Sequence, residues 1–111
     1  MDAVPRELRV YEESPGQVPF LRWLKGLADF RVRKAIQVRL DRLEAGNFGD
    51  NKSVGGGVRE LRIDVGAGFR VYFAEDGPRI VLLLIGGDKK SQVRDIQTAR
   101  HYWDDYKRRA Q

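Results

Sequence analysis

Arg62, Arg70 and Lys89, with Tyr72 close by, are the side chains of this chain whose type and spacing could do chemistry. From Glu60 to Ala74, the apolar residues Leu61, Ile63, Phe69, Val71 and Phe73 alternate with polar or charged neighbours. Period-two alternation sends the two sets to opposite faces of a β-hairpin. With the apolar set on a core, Arg62, Arg70 and Tyr72 project together from the other face. Cations placed opposite each other on neighbouring strands repel unless an anion lies among them. A phosphate would serve, and so would Glu60 and Asp64, which share that face. The segment Gly86-Gly87-Asp88-Lys89-Lys90-Ser91 can carry Lys89 to the same surface, or it can be a plain loop whose Asp88 or Ser91 caps a following helix.

Other catalytic sets are missing from the sequence. There is no cysteine, hence no disulfide and no thiolate metal site. The single histidine, His101, sits within a helical stretch, and with no cysteine it is too little to build a zinc site. The acidic residues are scattered with no spacing that suggests a two-metal nuclease, and no Ser-His-Asp motif is present. The Gly86-Gly87 pair fits neither a phosphate-binding P-loop nor a dinucleotide fingerprint. An enzyme built from this sequence would work with Arg, Lys and Tyr, without a cofactor or metal.

The elements that must position these residues follow from periodicity. Glu7 to Glu13 reads as a strand that stops at the turn Ser14-Pro15-Gly16. Pro19 suits the first turn of a helix whose apolar face is Phe20, Trp23, Leu24 and Leu27. Asp29 caps a second helix with the stripe Val32, Ile36, Leu40 and Leu43, stopped by Gly46-Asn47. Residues 46 to 57, with five glycines, read as a loop without regular structure. Two strands of a hairpin follow, then Ile80 to Ile85, an apolar run expected to be the central strand, buried on both faces. After Gly86-Gly87, Ile96, Ala99, Trp103 and Tyr106 mark a last helix. The expected fold is α+β, one domain over residues 1–111, in the order β-α-α-β-β-β-α, with an antiparallel meander and the helical pair on one sheet face.

The 111 residues carry a formal charge of +5, which favours a polyanion or an acidic protein as partner. The excess is local: residues 29 to 42 hold five Lys/Arg against two Asp/Glu, and residues 88 to 109 hold seven against four. The first ten residues mix charges and a proline, and no apolar run approaches the roughly 18 residues of a membrane span. A cytoplasmic protein without membrane attachment is expected.

Four segments carry a family resemblance: Gly57-Val58-Arg59-Glu60-Leu61-Arg62-Ile63, Gly68-Phe69-Arg70-Val71-Tyr72-Phe73, Leu82 through Gln92, and Asp95-Ile96 with Ala99. With Gly46-Asn47-Phe48-Gly49-Asp50 ahead of them, they resemble the RelE/ParE-type addiction-module killer proteins, in the HigB-like branch. The resemblance implies a RelE-like fold and a toxin, neutralised by an antitoxin encoded nearby, that cleaves mRNA on the ribosome without a metal. It implies catalytic roles for Arg62, Arg70 and Lys89, and RNA contacts for Arg59, Tyr72 and Lys90. Several relatives carry a terminal His or Tyr for proton transfer; here that region has Asp88, Lys89 and Lys90, with His101 over two helical turns later. Lys89 therefore takes the proton-transfer role and Arg70 the phosphate, since an arginine holds its proton beyond about pH 12. Two other functions share the same features: inhibition of DNA gyrase by a ParE-type toxin, and nucleic-acid binding without catalysis.

Overall fold

The computed structural model describes residues 3–110. Among them lie β1 (Glu7–Val10), α1 (Pro19–Lys25), α2 (Phe30–Glu44), β2 (Asn51–Ser53), β3 (Val58–Ile63), β4 (Phe69–Asp76), β5 (Ile80–Asp88) and α3 (Gln92–Arg109). The strands form one sheet in the order β1-β5-β4-β3-β2, with β1 parallel to β5 and the other pairs antiparallel. The α+β architecture expected from the sequence is present, with one strand more than expected. Asn51–Ser53 lies within the glycine-rich stretch read as an irregular loop, yet pairs with Leu61 to Arg59 as a short edge strand. Three residues are too few for alternation to show.

The helical pair covers one sheet face. Proline opens α1, and the Asp29 carboxylate accepts the Arg31 backbone N–H at 2.9 Å to start α2. Val32, Ile36, Leu40 and Leu43 of α2 and Phe20 of α1 then bury against Leu61, Ile63, Val71, Phe73, Val81 and Leu83. Each aliphatic side chain fully withdrawn from water here contributes about 1.5–3 kcal/mol. The helix ends before Gly46, which turns at φ 91°; a side chain there would collide with the backbone of Val4.

The opposite face is not open, as the hairpin alternation alone suggested. The α3 stripe needs an apolar surface, and Ala99 and Trp103, with Ile96 and Tyr106, find it on Val58, Tyr72, Ala74, Leu82 and Leu84. Tyr72 is consequently buried (0% exposed) and Arg70 nearly so (8%). β4 is the middle strand of the five; β5, expected at the centre, lies between β4 and β1 and is buried on both faces by the two helical layers. Three tyrosine–carboxylate hydrogen bonds add to the packing beneath or beside α3: Tyr11 to Asp105 (2.6 Å), Tyr106 to Asp76 (2.6 Å) and Tyr72 to Glu60 (3.0 Å).

β5 also runs through Gly86 and Gly87, where a loop was expected. These glycines serve close approach, not a turn. A Cβ on Gly86 would lie 2.2 Å from the Trp23 ring of α1, and one on Gly87 would lie 1.8 Å from Asp95 Oδ2 of α3. One glycine seats a helix on each face of the strand.

Two outcomes follow. Gly86→Ala should destabilise the protein by about 1–3 kcal/mol in urea unfolding, as overpacking does, and adding Trp23→Leu should return part of the loss. Burial and the bond to Asp105 push the Tyr11 phenol up to about 12, and Tyr72 and Tyr106 are raised as well. A raised folded-state value favours the protonated fold, so this stability is complete below the ordinary tyrosine value of about 10 and is lost as pH rises through 12. Melting temperature should fall across that window, and less steeply in Tyr11→Phe.

Candidate functional site

Arg62 of β3 and Arg70 of β4 are direct cross-strand neighbours, as the alternation requires. The anion that lets them coexist is supplied by the protein. Glu60, two residues before Arg62 on the same face, has no solvent exposure. Its Oε2 accepts hydrogen bonds from the Tyr72 hydroxyl (3.0 Å) and the Gln92 amide (2.8 Å) and lies 3.5 Å from Arg70 Nε. Its Oε1 lies 3.9 Å from both Arg62 Nε and Lys52 Nζ. Among the described residues neither Oε1 nor Arg70 Nε has a hydrogen-bond partner, so the cations are held by charge more than by directional bonds. Burial, followed by the charge and hydrogen bond of Glu60, raises the Tyr72 phenol well above its ordinary value. It stays protonated and remains a donor to the carboxylate.

Above this cluster, Arg62, Arg70 and Lys89 line a cleft of about 460 Å³ together with the Gly66-Ala67-Gly68 turn, Asp50 and Asp64. The tip of Arg70 reaches that turn: a Cβ on Gly68 would sit 3.9 Å from Arg70 Nη1. Arg62 is fixed from the other side of the strand, where its carbonyl accepts a hydrogen bond from Arg39 of α2. Lys89 is exposed, at the turn that links β5 to α3.

The structure thus brings the three expected catalytic residues to one cleft and separates the three expected RNA contacts. Tyr72 lies beneath the cleft as a buried donor, out of reach of a macromolecule. Lys90 lines a different, neighbouring cleft. Arg59 stands on the α2 face, opposite Phe73, and donates to Asn51 Oδ1 at 2.7 Å. His101 lies apart from the cleft, beside Tyr102 on α3.

Of the parts around the arginines, Glu60 was open to sequence reasoning as a neutralising carboxylate, and Lys52 and Gln92 were not singled out. Glu60 has a visible signal, since it shares the alternation of Arg62; Lys52, within a glycine-rich stretch, and Gln92 have none. Among the described residues no cluster of three or more His, Asp or Glu side chains could hold a metal ion. What the cleft offers is three cationic side chains, Arg62, Arg70 and Lys89, with the buried Glu60 carboxylate beneath the two arginines.

Comparison with known proteins places the chain. The family described as "Phage derived protein Gp49-like (DUF891)" matches residues 22–110, a span that includes Arg62, Arg70 and Lys89. An uncharacterized protein of Haemophilus influenzae (strain ATCC 51907 / DSM 11121 / KW20 / Rd) is 48% identical over 81 residues, covering 73% of this chain and 82% of that protein. No helix among the described residues is long and apolar enough to cross a membrane. The chain belongs to the Gp49-like family of phage-derived proteins, a toxin-like family of the RelE/ParE superfamily.

Proposed function

We propose that this protein is a HigB-like toxin of a toxin–antitoxin pair, an endoribonuclease that cuts messenger RNA on the ribosome in the cytoplasm without a metal ion. The observation that carries the reading is the convergence of Arg62, Arg70 and Lys89 on one cleft. In the reaction the 2′-oxygen attacks the adjacent phosphorus and the bond to the 5′-oxygen breaks, leaving a 2′,3′-cyclic phosphate. One group must take the 2′-hydroxyl proton, one must stabilise the added charge on phosphorus, and one must protonate the leaving oxygen. Arg70 and Arg62 supply the second need, as guanidinium forks grip phosphate oxygens in pairs. Lys89 is the cleft's exchangeable proton carrier. The cleft has no further acid–base pair of evident geometry, and a ribosome that holds the message in line would supply much of the alignment. An acidic or amphipathic antitoxin, encoded nearby, suits a surface with this charge excess.

Primer extension on a defined message in a purified translation system tests the reading. Wild-type protein should produce ribosome-dependent cuts. Arg62→Ala and Lys89→Ala should each lower the cleavage rate by roughly 100- to 1,000-fold, the range for loss of one transition-state donor. Their thermal melting should change by less than about 1 kcal/mol, because both side chains are substantially exposed. Arg70→Ala should behave differently. Removing the nearest cation from a buried carboxylate costs about 3–5 kcal/mol, so its melting temperature should fall along with its activity. Intact message beside blocked gyrase supercoiling would replace this reading with that of a gyrase inhibitor.

A further inference from the structure

β1 accompanies β5 only to Val10 opposite Leu83, with one more bond from the Tyr11 N–H to the Leu83 carbonyl at 2.9 Å. From Leu84 to Asp88 the outer edge of β5 has no strand beside it among the described residues. α1, through Pro19, Arg22 and Trp23, and the first turns of α3 flank this edge and leave a cleft of about 630 Å³ between them. Gly86 and Gly87 line its floor, Trp23 one wall, and Arg22, Lys90 and Arg94 its rim.

The acids of this cleft are already engaged. Asp88 Oδ1 accepts the backbone N–H groups of Lys90 (2.9 Å) and Ser91 (3.1 Å), and Asp95 accepts the Ser91 hydroxyl. Arg22 is paired with Glu13 at 3.4 Å, but the other two rim cations are freer. Lys90 forms no ion pair among the described residues, and Arg94, with its side chain 79% exposed, stands 4.0 Å from Asp95. Lys89 lines the first cleft and Lys90 the second, so the turn after β5 joins them into one basic track.

We propose that this second cleft is a subsite for single-stranded RNA that receives the nucleotides flanking the scissile phosphate, an inference that rests on the ribonuclease reading. A groove with cations on its rim and an aromatic ring in its wall suits a flexible strand: the cations follow the phosphates and the ring meets a base. A single strand can turn its unstacked bases toward such a wall, which a duplex cannot. Continuity with the cleavage cleft favours RNA over an acidic peptide, because a strand leaving Lys89 passes Lys90 next.

The test uses fluorescein-labelled oligonucleotides of two, four and eight residues, 2′-O-methylated throughout so that they cannot be cut. Anisotropy titrations at several KCl concentrations compare the wild type with the double variant Lys90→Ser/Arg94→Ser, whose exposed side chains leave the core intact; thermal melting checks this. Wild-type affinity should rise with length. The double variant should bind the two-residue probe as the wild type does and the eight-residue probe at least tenfold more weakly. Its log–log salt slope for the eight-residue probe should fall by about 1.4, or roughly 0.7 for each phosphate that the variant no longer neutralises. A double variant that binds the eight-residue probe as tightly as a wild type that still cuts message would overturn the subsite and leave the ribonuclease reading standing. A wild type that neither binds any probe nor cuts on the ribosome would remove both. If a labelled hexaglutamate peptide, and not the RNA, loses affinity in the double variant, the cleft belongs to an acidic protein segment instead.

Discussion

A carboxylate with no access to water, Glu60, sits where four elements meet, and the arrangement of charge in this protein depends on it. Burying an ion carries a penalty of several kcal/mol, which only good geometry and additional hydrogen bonds offset. Lys52 of β2, Arg62 of β3 and Arg70 of β4 bring positive charge within 4 Å, and Tyr72 and Gln92 bring donors. Each would be worse placed without the others. Arg62 and Arg70 face each other across the hairpin and would repel. Tyr72 would bury an unpaired hydroxyl under α3, and β2 would lose the tie that carries its lysine toward the sheet centre. The charge that permits the cation cluster is therefore also a joint between the edge strand, the meander and the first turn of α3.

This joint changes what the cleft can do. Before any ligand arrives, the cations are partly offset by Glu60 from below and by Asp50 and Asp64 at the wall. Ground-state attraction for a singly charged phosphodiester is correspondingly modest. On the ribonuclease reading, that is an advantage, because only interactions that strengthen as charge builds on phosphorus speed the chemical step. It also fits a cleft that needs a separate groove, or the ribosome, to hold its RNA. Glu60 Oε1 and Arg70 Nε, buried and without hydrogen-bond partners among the described residues, leave the guanidinium less tightly locked than a bidentate pair would, and on the ribonuclease reading it takes up a phosphate oxygen without breaking a strong bond.

Much of this could be read from the residues. The stripe of α2, its Asp29 cap, the hairpin register and the apolar face of α3 all follow from local periodicity, and the structure reproduces them. The same register put Arg62 and Arg70 side by side. What local pattern does not contain is where α3 docks. Tyr72 occupies a polar position of an alternating strand and yet is buried, because a second helical layer lies over it. A clue was present: Ile80 to Ile85 is apolar at every position, and a strand buried on both faces needs a cover on both. That cover must extend over the neighbouring strand too, which takes Tyr72 and Arg70 out of solvent. Arg59 illustrates the converse. Its family motif suggested an RNA contact, but it is one residue out of phase with Glu60 and Arg62, and period two sends it to the far side of the sheet.

The glycine pair shows how one local signal supports two structures. Gly-Gly before a helix suggests a turn, and nothing in the sequence distinguishes a glycine that bends from one that makes room. The distinction lies in what approaches: Trp23 on one side of β5 and Asp95 on the other. Because successive strand residues face opposite ways, two adjacent glycines admit one intruder on each face. α1 and α3 are thereby drawn in around the same short stretch of β5, and the chain leaves the sheet between them. Lys89 and Lys90 emerge at that point, one toward the arginine cleft and one toward the free strand edge. The absence of two side chains thus lets both helices pack on one short stretch of β5, next to the turn from which the adjacent Lys89 and Lys90 reach the two clefts.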